Sequence, residues 1–365
     1  MNNIFSMLDF SQTPWKLEVT DLPICRWLSD HNQARHLTEW SLSMPINIAN
    51  DIYLIKIPLP NNPLKDLNSY LIKGEERNLL IDTGFNLDAC CDVMISELRS
   101  LGVDMSRTDI FLTHFHADHS GLCGRIAHPD TKIYLGIDDC RIMQGTHKMI
   151  KDNIPLIMSM GIPAHILQEN AKVNPSIIYR PAEVDRLVPL EDGHLLTVGN
   201  YHFEAIHTPG HTPGHMCLYD RAKKMLFCGD HIIFDITPNI SIWPDMPNAL
   251  NRYMESLRAV NSLDVDLALS AHRNPEGNIQ ERIDSLLLHH EKRLDEVSEI
   301  VKAYPGSNCY EVASKMRWKI RAPSWDDFPT SQKWFAIAEA AAHLEYLVTQ
   351  GKLKSATIHN VMVFE

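Results

Sequence analysis

The sequence predicts an α+β fold built around a pair of sheets, and three observations support this. Short apolar runs of strand character recur in two blocks, first between residues 52 and 135 and again between 195 and 270. Segments with helical apolar spacing follow the strands, at 87–101, 248–262 and 276–303. Histidines and aspartates collect where strands end, so their side chains converge on one edge of the sheet pair.

Taken in order, residues 1–45 carry Trp15, Trp27 and Trp40 among scattered charges and are expected to form an N-terminal extension packed on the main body. A catalytic domain over 46–300 opens with strands at 52–57, 69–72 and 78–81, the last running into Asp82-Thr83-Gly84. Val93, Met94, Leu98 and Leu101 give 87–101 a helical face that Gly102 stops. Strands at 109–113 and 132–135 complete the first half. Residues 137–186 break the pattern and read as an insertion, helical over 138–160 and rich in methionine at 143, 149, 158 and 160. Such methionines fill cores, but their adaptable side chains also suit a lid over an apolar substrate. The second half repeats the strand signal at 195–198, 201–206, 216–219, 225–228 and 267–270.

With 365 residues, 44% of them hydrophobic, the chain can bury a substantial core. A net charge of −12 gives no global attraction to nucleic acid or an anionic membrane. Eight cysteines without a CxxC pair suggest reduced, buried thiols. No leader or long apolar segment stands out, so the expectation is a soluble, cytoplasmic protein that does not engage a membrane.

The chemistry centres on residues 109–120, where the apolar Ile110, Phe111 and Leu112 are followed by His114, His116, Asp118 and His119 within six residues. Histidine is common in loops and Asp favours turns, yet three His and one Asp at this spacing suit a metal far better than a bare surface. In an extended segment His114 and His116 would point the same way, leaving Asp118 and His119 to face a second point, one ion per pair. Further donors follow in His207-Thr-Pro-Gly-His211-Thr-Pro-Gly-His215, Gly229-Asp230-His231 and Ala271-His272.

Together Thr-His114-Phe-His116-Ala-Asp118-His119, Pro-Gly-His211-Thr, Gly-Asp230 and Ala-His272 resemble the motifs of the metallo-β-lactamase superfamily, as does Asp82-Thr83-Gly84. The resemblance, over about residues 46–290, implies a four-layer αββα sandwich with a dinuclear metal site at one edge. By position it makes His114, His116 and His211 ligands of one ion, Asp118, His119 and His272 ligands of the other, and Asp230 a bridge. The implied cofactor is a pair of divalent ions, zinc first, with iron or manganese as alternatives the same donors accept. His207, His215 and His231 fall outside this set and are expected to support it, and Asp82 to position a ligand or its loop. The implied enzyme is a hydrolase in which two cations about 3.5–4 Å apart acidify a bridging water, with Asp118 and Asp230 as the catalytic carboxylates.

Residues 301–365 form a small C-terminal module, with helices expected at 309–315 and 332–349 and a hairpin from 353–355 with 361–364. The layout is similar to the winged-helix tail of superfamily members that include an endoribonuclease. Seven Lys or Arg against six Asp or Glu over 303–365 is no basic footprint, so packing, homodimer formation or closing the active site fits better than nucleic-acid binding. The TPGHTPGH loop resembles those of glyoxalase II and acyl-homoserine lactonases, although the tyrosine expected in lactonases after Asp230 and a glutathione-binding basic tail are missing. The favoured substrate is therefore a small ester, thioester or lactone, and the alternative a phosphodiesterase or endoribonuclease activity of the same superfamily.

Overall fold

A computed structural model describes residues 44–365, apart from 183 and 185 and the side chains of 146–152. The expected N-terminal extension lies, but for its last two residues, outside the described residues, and so does the Met149 side chain.

Among the described residues a seven-stranded sheet runs in chain order: β1 Ile46–Ala49, β2 Ile52–Pro58, β3 Asp66–Ile72, β4 Asn78–Ile81, β5 Thr108–Phe111, β6 Ile133–Gly136 and β7 Leu187–Leu190. Pairing is antiparallel up to β4 and parallel from β4 to β7. The switch follows the connections, because parallel neighbours need crossovers. Helix α1 (Asp88–Ser100) joins β4 to β5, and the one-turn helices α2 (Ala117–Ser120) and α3 (Cys123–Ile126) lie between β5 and β6. The insertion, as α4 Ile137–Gln144, α5 Thr146–Ser159, α6 Ala164–Val173 and α7 Pro175–Ile178, spans β6 to β7. The largely helical character expected over 138–160 is met by α4 and α5, with Gly145 between them.

A second sheet holds β8 His194–Val198, β9 Tyr201–His207, β10 Met216–Asp220, β11 Met225–Gly229 and β12 Leu267–Ser270 in the order β12-β11-β10-β9-β8. It is antiparallel except for β11 and β12, which α8 (Ala249–Asn261) connects. Strand alternation sorts its residues into two layers. Met216, Leu218 and Phe227 join Leu54, Tyr70, Ile81 and Phe111 of the first sheet in an inter-sheet core, with Tyr70 edge-on to Phe227 at 5.1 Å. Cys217, Tyr219 and Cys228 face the other way, against α8 and α9 (Ile279–Ala303). The first sheet is covered on its far side by α1, whose Cys90 thiol donates to the Pro58 carbonyl at 3.0 Å.

Past α9 come β13 Ser307–Asn308, α10 Cys309–Lys315, α11 Thr330–Thr349, β14 Ser355–Ile358 and β15 Val361–Phe364, with a small sheet in the order β13-β15-β14. The hairpin turns through His359 and Asn360, both at positive φ, as a two-residue turn requires. Helix α11 buries Ile337, Ala340, Ala341 and Leu344 in the same cluster as Leu250, Tyr253, Leu286 and Val297, its alanines letting the helices approach closely. Met160 and Ile166 of the insertion enter this cluster too. Among the described residues, Cys90, Cys123, Cys140, Cys217, Cys228 and Cys309 are free, buried thiols. No described helix is long and apolar enough to cross a membrane.

Where α9 meets α11, His343 donates its Nδ1–H to the Glu339 carbonyl at 2.7 Å, which leaves its Nε2 to accept from His290 Nδ1 at 3.1 Å. Both rings are buried, and burial pushes each below the ordinary histidine range, far below for His290. Below about pH 6.5 the unfolded chain therefore binds a proton at His290 that the folded chain does not, so stability falls as pH falls. Replacing His290 by Leu should flatten this acid limb by up to ~1.4 kcal/mol per pH unit in urea unfolding series. An unchanged slope would contradict the assignment.

Candidate metal centre

The donors stand on loops that leave the C-terminal ends of strands. Strand β5 ends at Phe111, and the chain then bends through 113–116 into α2, with His116 at its N-terminal boundary. The Ser120 hydroxyl donates to the carbonyls of Phe115 and His116, at 2.8 and 3.0 Å, and fixes the turn. Residues 114–116 are thus bent rather than extended, a correction to the sequence reading, and the turn itself brings the two rings together.

His114 Nε2 and His211 Nε2 each lie 3.0 Å from His116 Nδ1. Three donors around one tetrahedral ion at about 2.0–2.1 Å would stand about 3.3 Å apart, close to this spacing. A second group forms beside them. His272 Nε2 is 3.2 Å from His119 Nε2 and 3.4 Å from Asp118 Oδ2. Asp230 stands between the groups, with Oδ1 at 3.5 and 3.6 Å from His272 and His119 and Oδ2 at 3.7 Å from His211. Its buried Oδ1 has no hydrogen-bond donor. The structure therefore brings all seven sequence-predicted residues together, in the groupings His114/His116/His211, His114/His119/Asp230 and Asp118/His119/His272.

Most of these imidazoles are aimed by a bond at the other ring nitrogen. Asp82 Oδ2 accepts from His119 Nδ1 at 2.8 Å and from the Thr113 hydroxyl at 2.8 Å, and that hydroxyl accepts from His114 Nδ1 at 3.1 Å. Asp82 Oδ1 takes the Thr113 N–H at 2.8 Å. One buried carboxylate, held at a φ of +58° after β4, thereby orients a ring in each donor group. His211 Nδ1 donates to the Asn239 carbonyl and His272 Nδ1 to the Asp66 carbonyl, both at 2.8 Å. In each case the Nε2 lone pair faces the cluster, the tautomer a metal needs.

The supporting histidines divide by role. His215 donates to Thr208 Oγ1 at 2.8 Å and accepts the Asp230 N–H at 3.2 Å, which holds the backbone of the central carboxylate. His231 is buried between the rings of His215 and Tyr253, while His207 braces its own loop through the Pro213 carbonyl. Sequence reasoning missed Asp139. This buried residue of α4 accepts from Phe115 N–H at 3.0 Å, from the Thr212 hydroxyl at 2.8 Å and from Gly214 N–H at 2.6 Å, and so ties the 113–120 loop to the 208–215 loop. Its only signal is an acidic residue at a strand-to-helix junction, which a simple helix cap explains equally well.

Burial sets the charges. It drives His114 well below the usual histidine range, His116 to about 3 and His211 downward, so this group stays unprotonated. Burial opposes protonation of His119 too, but Asp82, Asp230 and Asp118 outweigh it and raise its pKa. Burial likewise disfavours ionised Asp118, yet His119 and His272 hold it at about 2. Burial, helped by the neighbouring Asp138 charge, pushes Asp139 up to about 7, against the donors that face it.

Two packed sheets, helices outside them and His and Asp donors grouped at one edge define a class of metal-site protein on a mixed α/β sandwich. The chain belongs to the metallo-beta-lactamase superfamily, whose family model matches residues 64–272. It is similar to the lactamase-like protein nscB of Neosartorya fischeri, 26% identical over 317 residues that cover 75% of this chain and 80% of that protein. It is also similar to an atrochrysone carboxyl ACP thioesterase of Aspergillus fumigatus, 25% identical over 67% of this chain but only 46% of the relative. Among solved structures, a metallo-beta-lactamase family protein from Thermus thermophilus shares the fold with a TM-score of 0.73 at 24% identity, covering 87% of this chain and 99% of that one. A beta-lactamase domain protein from Burkholderia ambifaria does so with a TM-score of 0.70 at 22% identity, covering 88% and 94%.

Replacing Asp139 by Asn leaves one amide oxygen where a carboxylate serves three donors. The variant should lose about 1–3 kcal/mol of stability and bind zinc more weakly, by about 10- to 100-fold. Unfolding midpoints of metal-free protein and competition with a chromophoric chelator measure the two effects; wild-type values in both would refute the tie.

Proposed function

We propose that this chain is a dinuclear metal-dependent hydrolase acting on a small acyl substrate, an ester, thioester or lactone. One observation carries the reading: Asp230 presents one carboxylate oxygen to each of two donor groups, a placement that suits a carboxylate that two cations would share. Its donorless Oδ1 and the unprotonated imidazoles around it fit divalent ions, zinc before iron or manganese. His114, His116 and His211 would hold one ion, Asp118, His119 and His272 the other, with Asp230 between. When bound, the pair supplies Lewis acidity and water acidified to hydroxide near neutral pH.

The chain's own residues do the rest. Asp118 and Asp230 are ionised at neutral pH and orient the attacking water through its hydrogens. Asp118 is the more open of the two, with 15% of its side chain exposed against 9%, so it faces the incoming substrate. Phe115 and Trp243 flank His116, their centroids 5.7 Å apart, and give the acyl body an apolar wall. The thioesterase among the relatives supports acyl transfer to water, and places thioesters first among substrates to test.

The second reading, phosphodiester or RNA cleavage, draws on the C-terminal layout of α10, α11 and the β14–β15 hairpin, which we read as winged-helix-like. The balance of seven basic against six acidic residues over 303–365 argues against it. Helix α11 turns its middle into the main core instead, and we assign the module a packing role.

Purified protein should hydrolyse a thioester or lactone and leave a bis-aryl phosphodiester and single-stranded RNA intact. Stripping with a chelator should abolish turnover and zinc should restore it. His116→Ala and Asp118→Ala should each lose at least about 100-fold in kcat/KM. Full turnover in either variant, or in stripped protein, would exclude the mechanism.

A further inference from the structure

Between Asp230 and α8 the chain runs through residues 231–248, and this segment meets the donor cluster at His211 and His116 and the loop that follows His272. Arg282 of α9 grips its start, donating Nε to the Ile233 carbonyl and Nη2 to the Ile236 carbonyl, each at 2.6 Å. Asp235 accepts the Asn274 N–H at 2.9 Å, two residues past His272. The Asn239 carbonyl receives His211 Nδ1, and Trp243 lies beside His116. Asn239 also looks outward. Its side-chain amide donates to the Phe335 carbonyl on α11 at 3.0 Å. A carbonyl has two lone pairs, so this bond adds to the helix's own.

We infer that Asn239 is a positioning residue for His211 and that the C-terminal helix α11, through the Phe335 carbonyl, is a working part of the metal centre. The main-chain oxygen of Asn239 fixes the tautomer and tilt of the His211 ring. Its side chain fixes that oxygen against a helix whose buried face belongs to the main core. The loop that carries His211 is itself held, by Asp139 at Thr212 and Gly214 and by Ser256 at the Pro209 carbonyl, but the hydrogen bond that His211 Nδ1 donates is accepted by the Asn239 carbonyl. A partner whose loss loosens a metal-ligating histidine commonly costs 10- to 100-fold in metal affinity, and one bond further out should cost about tenfold.

The inference rests on His211 being a ligand, and the test separates the two. Full-length protein, stripped of metal, is titrated with zinc against a chromophoric chelator, and with cobalt to read ligand-field absorption. Wild type should bind two ions and His211→Ala should lose one. Asn239→Ala should keep two, bind one of them about tenfold more weakly with an altered cobalt spectrum, and match wild type in the unfolding midpoint of the metal-free form. Asn239→Gln, which retains an amide donor, should recover part of the affinity, and Phe335→Ala, which retains the carbonyl, should match wild type. Wild-type affinity in Asn239→Ala alongside a lost ion in His211→Ala overturns this inference alone. So does equal weakening by Phe335→Ala, or a fall in the Asn239→Ala midpoint that Asn239→Gln does not repair. Two ions at full affinity in His211→Ala would overturn the ligand reading beneath it.

Discussion

The constraint on which this structure depends is the cost of burying seven donor side chains with their lone pairs facing one another. Imidazole nitrogens 3.0–3.2 Å apart and a carboxylate oxygen without a donor are a costly arrangement unless a cation joins them. The protein meets that cost from behind. Asp82, Thr113, and the carbonyls of Asp66 and Asn239 satisfy the far side of the rings and leave the near side free. The same bonds that stabilise the metal-free loops therefore prepare them to bind.

The fold makes this possible because it delivers the donors from separate strands to one edge. β5, β9, β11 and β12 end within reach of each other, and Asp66, at the start of antiparallel β3, comes to the same edge. The loops themselves are joined side to side. Asp139 ties the first to the second, His215 ties the second to Asp230, and the segment after Asp230 ties itself to the loop of His272. Displacing one loop would strain the others, so the seven donors behave as one structural unit. Helix α11 and the insertion pack into the apolar cluster of Tyr253, Leu344 and Met160.

Much of this is legible in the sequence. Apolar runs such as 78–81 and 225–228 fall on β4 and β11, and the helix expected at 309–315 is α10. The seven donors can be found because residue type and spacing carry the chemistry directly. What is not legible depends on distance in space. Asp139 looks like a helix cap until the 208–215 loop is folded onto it, and Asn239 contributes a backbone carbonyl that no residue type announces. The strands β1 and β7 escape notice because Asn47 interrupts the apolar run Ile46–Ala49 and Pro189 interrupts Leu187–Leu190, residues that argue against a strand. The bend at 113–116 reads as extended for a similar reason, since hydroxyl bonds from Ser120, rather than local propensity, set it.

The central claim, that two cations occupy this cluster with Asp230 between them, is tested most directly by anomalous diffraction from crystals of the zinc-loaded protein at the zinc edge. The account predicts two peaks, one against His114 Nε2, His116 Nδ1 and His211 Nε2 and the other among Asp118, His119 and His272. A single peak, or ions bound away from these residues, would contradict it.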